Sequence, residues 1–63
     1  MTEPVDVFVA LQRDAGEVEV VGVFRSLDSA IAALGESPVG WREIAPGRWS
    51  DGQGLWVERH VLL

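Results

Sequence analysis

Apolar and polar residues change their spacing along this chain, and each spacing predicts an element. In "VDVFVALQR", Val5, Val7, Val9 and Leu11 take every second position, with Asp6, Phe8, Ala10 and Gln12 between them. A period of two is the side-chain period of a strand. Val5 to Arg13 is therefore expected to be a strand, with the valines on one face and Phe8 on the other. Asp14-Ala15-Gly16 follows, and the glycine suits a three-residue hairpin loop with a bulge. "EVEVVGVF", Glu17 to Phe24, is the return strand. It ends apolar on both faces, which fits a central strand or one covered on both sides.

The period then lengthens. Leu27, Ala30, Ile31 and Leu34 fall at i, i+3, i+4 and i+7 and make one apolar stripe on a helix. Ser26 stands where an N-cap belongs. Asp28 lies in the first turn, where a negative charge favours the helix dipole. Gly35 is placed to end the helix in a left-handed conformation. A helix of about nine residues does not hold in water alone, so it must lie on the sheet. Val39 to Ala45 reads as a third strand. Either Pro46-Gly47 or Asp51-Gly52 supplies the reversal. Leu55 to Leu62 reads as a fourth strand, with Leu55, Val57, Arg59 and Val61 alternating with Trp56, Glu58, His60 and Leu62. The expected fold is a single α+β domain over residues 1–63. Its order is ββαββ, with one short helix on one face of a four-stranded, mainly antiparallel sheet.

Composition narrows the functional classes. The chain has 63 residues, a net charge of −5, no Cys and one His. A domain this small is marginal, and disulfides, metals or oligomers are the usual remedies. Without Cys, and with His60 alone among histidines, an oligomer is the remaining common remedy, with good local packing as its rival. The acidic balance argues against direct nucleic-acid binding, since phosphate would be repelled. "MTEPVDV" has neither the basic nor the apolar region of a signal peptide, and no apolar run is long enough to span a bilayer. A cytoplasmic setting, with no membrane partner, is the expectation.

The stretch "VVGVFRSLDSAIAAL" ends a strand in Gly-Val-Phe, caps with Ser and continues into an Ala-rich helix. With the Trp-rich closing segment "WREIAPGRWSDGQGLWVERHVL", it resembles short uncharacterised proteins of actinobacteria and their phages. That resemblance implies a ββαββ fold and a bacterial or phage origin. It carries over no activity and no catalytic residue.

Candidate chemistry is sparse. Ser50, Asp51 and His60 supply the residue types of a nucleophilic triad, but nothing in their spacing joins them. One His beside Glu58 falls short of a zinc site. "DGQG" lacks the Lys and helix of a phosphate loop and the repeated oxygens of a calcium loop. No enzyme activity, cofactor, metal or small-molecule ligand is expected.

Three tryptophans are the strongest functional signal. Val57 and Val61 would face the helix, so Trp56 and His60 would face away, together with Phe8 and with Trp41 or Trp49. Large apolar patches mark interfaces, and Trp is enriched at their energetic centres. The expected interface residues are Phe8, Trp41, Trp49, Trp56 and His60. Trp56 would be covered by Trp49, by a second copy of the chain, or by both. The expected function is a non-catalytic protein-interaction module that self-associates as a dimer. The alternative is an acidic, DNA-mimicking inhibitor of a nucleic-acid-binding protein. That reading needs carboxylates such as Asp6, Glu17, Glu19, Glu43 and Glu58 gathered on one face.

Overall fold

The structure is a computed structural model that describes residues 3–62. Its elements run β1 (Val5–Asp14), β2 (Glu17–Phe24), α1 (Leu27–Ala33), β3 (Arg42–Ala45), β4 (Arg48–Ser50) and β5 (Leu55–Leu62). Every neighbouring pair of strands is antiparallel, and the sheet order is β2-β1-β5-β4-β3. The α+β class agrees with the sequence reading, but the sheet has five strands where four were expected.

The additional strand is "RWS", Arg48–Ser50. Three residues are too few to display a period. Pro46-Gly47 is the reversal that precedes it. Ala45 pairs with Arg48 across the turn, and Gly47 takes φ +75°. Asp51 to Gly54 form a separate loop into β5. The third strand begins later than expected, at Arg42. The preceding chain is tied in turns, with the Trp41 amide donating to the Pro38 carbonyl at 3.1 Å.

The first hairpin is also tighter than expected. Asp14 pairs directly with Glu17, leaving a two-residue turn. Ala15 at φ 52° and Gly16 at φ 84° both occupy the left-handed region, as a type I′ turn requires. The bulge lies elsewhere. Ala10 pairs with Gly22 and Leu11 with Val20, so Val21 is the extra residue on β2. The expectation that β2 is central or covered on both sides is corrected. It is an edge strand, because β5 takes the other side of β1.

The helix forms as its caps dictate. Ser26 Oγ accepts from the Ser29 amide at 3.2 Å. At the other end, the Gly35 amide donates to Ala32 and the Glu36 amide donates to Ile31. With Gly35 at φ 78°, this pair of bonds is a Schellman motif, and a side chain at that position would be strained. Helix α1 packs on β1, β2 and β5. Ala10, Ala30, Ile31 and Val57 are buried together, and Phe8, Phe24, Leu27, Leu34 and Trp41 pack around them.

Two points of side-chain parity follow. Val57 faces the helix, as expected, while Val61 shares its side by alternation but stays exposed. Phe8 also faces the helix, against expectation. The helix seats on the side of β1 that carries Ala10, where a methyl group lets the two backbones approach. The larger Val9 and Leu11 take the other side.

Ile31 is the helix residue most deeply inserted, whereas Leu34 ends the helix half-buried. Ile31→Ala is therefore expected to cost about 2–5 kcal/mol, and Leu34→Ala less. Urea denaturation of the two variants against wild type checks the order.

Candidate functional site

Only one face of the sheet carries the helix. The other is built by strand alternation and register. β1 contributes Val7, Val9, Leu11 and Arg13, and β5 contributes Trp56, Glu58 and His60, with Leu11 paired to Trp56 and Val7 to His60. Arg48 and Ser50 of β4 pair with Glu58 and Trp56. On β2, the same side carries Val18, Val20 and Val23, opposite Arg13, Leu11 and Val9.

Glu58 ties this face together. The Trp56 indole Nε1 donates to Glu58 Oε2 at 2.8 Å. The Arg48 guanidinium lies 3.4 Å from the same oxygen, and His60 Nε2 lies 3.2 Å from Oε1. The hydrogen bond from Trp56 is the chief reason that the Glu58 carboxyl titrates below its ordinary value. His60 and Arg48 act in the same direction, and partial burial opposes them. Arg13 places its guanidinium carbon 5.9 Å from the centre of the Trp56 ring, within cation–π range. A shallow cleft of about 280 Å³ runs over this cluster, lined by Arg13, Ile44, Arg48, Ser50, Trp56 and Glu58.

The margins of the face are apolar and open to solvent. Val18, Val20 and Val23 are 53%, 59% and 59% exposed on the β2 edge, and Ile44 is 59% exposed on β3. The whole chain exposes 4530 Å². A globular protein of this mass exposes about 4,000 Å². The excess fits a sheet with one covered face.

The five residues expected at an interface divide between the two faces. Trp56 and His60 are on the helix-free face and meet through Glu58. Phe8, Trp41 and Trp49 are on the helix side. Trp49 pairs with Val57 and packs against Phe8 with the rings tilted by 51° and 5.9 Å between centroids, while Trp41 packs on the buried cluster. Trp49 therefore does not cover Trp56. Adjacent strand positions point to opposite faces, and Trp49 shares the parity of Val57. Arg13, Ile44, Arg48, Glu58 and the β2 valines were not read as site residues. Alternation in "LWVERHVL" already joins Glu58 to Trp56 and His60. Arg48 carried no comparable signal, because β4 itself is invisible to periodicity.

The residues that resemble a triad are engaged otherwise. Ser50 Oγ donates to the Leu55 carbonyl and accepts from the Gly52 amide. Asp51 accepts from the Gln53 amide. His60 is bound to Glu58, not to Ser50. Among the described residues, no group of three His, Cys, Asp or Glu side chains is placed to hold a metal ion. No helix of the described residues is long and apolar enough to cross a membrane. No protein-family model, curated protein or solved structure matches the chain.

Two expected outcomes follow from this geometry. Glu58 has a lowered folded-state pKa, so its contribution to stability is full above its ordinary value of 4.5 and fades as pH falls through the lowered pKa. The stability gap between wild type and Glu58→Gln should thus narrow on acidification below pH 4.5, measured by urea denaturation across pH. On the other face, Trp41 Nε1 is buried with no hydrogen-bond partner. An unsatisfied buried donor costs about 1–3 kcal/mol. Trp41→Phe, which removes the donor along with part of the indole volume, should lower the thermal midpoint far less than Trp41→Ala, because the lost donor offsets part of the lost packing.

Proposed function

We propose that this chain is a small, non-catalytic protein-interaction module that self-associates through the helix-free face of its sheet. The observation that carries this reading is the exposed apolar margin of Val18, Val20, Val23 and Ile44 around a half-buried Trp56. Exposed apolar side chains on both edges of one face of a small domain favour burial against another surface. Trp56 is suited to the centre of such a surface. It offers a large ring, while its N–H is already bound to Glu58. Phe8, Trp41 and Trp49 support the module from the helix side and are not offered to the partner.

The inhibitor reading has one supporting feature. Asp14, Glu17 and Glu19 line a concavity at the tip of the first hairpin. By alternation, Asp6, Asp14, Glu17, Glu19 and Glu43 all point to the helix side. Yet Asp6 lies at the opposite end of β1 from the hairpin tip, and Glu43 lies on the opposite edge of the sheet. Mimicry of a phosphate backbone needs a denser row. The apolar face carries the stronger case.

Sedimentation velocity over a concentration series tests the proposal. Wild type should shift from monomer to dimer as concentration rises. Trp56→Ala should weaken that association by about tenfold or more, the range of an interface centre. A chain that remains monomeric throughout, or a Trp56→Ala variant that associates like wild type, would contradict it.

A further inference from the structure

The middle strand of the sheet is β5, and it carries Trp56. The two edges are β2, with its exposed valines, and β3, with exposed Ile44. The apolar groups of the helix-free face therefore lie on either side of a central strand. A two-fold axis parallel to the strands and lying just above β5 exchanges the two margins. It lays β2 of one copy over β3 of the other, and β5 over β5. Val20 and Val23 then come opposite the partner copy's Ile44, and the two Trp56 rings meet near the axis.

We infer that the occupant of this face is a second copy of the chain, stacked face to face in this two-fold arrangement. The result is a β-sandwich with both helices outside. The inference rests on the self-association proposed above and specifies its geometry. Charge placement favours it. The chain carries a net charge of −5, but among the described residues Glu58 is the only strand carboxylate on this face. Where the axis brings the two Glu58 side chains near each other, each is held by its own Arg48 and Trp56 N–H. Two acidic molecules that meet through these faces keep most of their carboxylates apart. Arg42 pairs with Ser50 and so projects to this face from the β3 rim. Glu17 and Glu19 of β2 point to the helix side and stay outside the stack.

The area is sufficient for a weak dimer. Three strands of about eight residues, with two short ones beside them, cover roughly 500 Å² at ~4.8 Å between strands and ~3.3 Å per residue. A pair then buries on the order of 1,000 Å², the lower threshold for a specific interface. Half-dissociation is expected at concentrations on the order of tens of micromolar, given how little surplus such an area leaves.

The alternative geometry is edge pairing, in which β2 of one copy continues the sheet by hydrogen bonding to β2 of the other. The bulge at Val21 counts against it, because a bulge breaks the regular spacing that a pairing strand needs. Crosslinking separates the two. The chain has no Cys, so only introduced thiols react. Stacked sheets lie ~10 Å apart, which is too far for a direct disulfide, so a short bis-maleimide is the reagent. Val20→Cys and Ile44→Cys are both at exposed positions and should leave the fold intact. Mixed together near 100 µM, roughly above the expected half-dissociation point, they should give a crosslinked heterodimer, at several times the yield of either variant alone. A dimer in sedimentation whose Val20→Cys chains link to each other, and not to Ile44→Cys, would overturn the stacked geometry while leaving self-association in place. A chain that sediments as a monomer at about 1 mM, where even a dissociation constant of ~1 mM would show, would overturn both.

Discussion

Ile31 seated on the Ala10–Val57 pair is the contact on which the rest of this structure depends. Ala10 and Val57 are registered across the two central strands, and both are fully buried with Ala30 and Ile31. Small side chains at Ala10 and Ala30 let a short helix come close to the sheet, and close packing is where dispersion is strongest. A helix of seven residues has no stability of its own. It exists because its N-cap, its Schellman ending and this contact fix it at once.

A single short helix covers only one face of the sheet. The surface opposite must be stabilised by its own side chains or by another molecule. Part of that work is internal. Leu11 is buried beside Trp56, and Arg13, Glu58 and Arg48 surround the indole with a cation, an acceptor and a counter-charge. The margins have no such cover, and Val18, Val20, Val23 and Ile44 stand exposed there. Polar atoms fixed at the centre with apolar groups free at the edges suit a surface that is soluble alone and gains by association. We propose that this balance allows so small a chain to remain folded without disulfide or metal.

Much of the architecture was legible in the residues. Period two marked β1, β2 and β5, and the 3.6 period with Ser26 and Gly35 marked the helix. The faces were harder to read. Val5, Val7, Val9 and Leu11 look like the core row of β1 because they are the larger apolar set, yet the helix chose Ala10 and Phe8. Size alone cannot reveal that choice, because it depends on how near the helix must come. The same inversion misplaced Phe8, and the unseen β4 misplaced Trp49. Trp56 and His60 were assigned correctly to the helix-free face because Val57 sets the parity of β5. Arg13 and Arg48 reach Trp56 only through strand pairing, which local pattern does not encode.

The central claim is that the helix-free face is the surface at which two copies meet. Methyl and indole NMR spectra recorded over a dilution series test it most directly. The methyl signals of Val18, Val20, Val23 and Ile44 and the Trp56 indole signal should move together with concentration, while those of Ala30 and Ile31 stay fixed. Spectra that do not change on dilution, or that change chiefly at Ala30, Ile31 and the other helix-side residues, would contradict it.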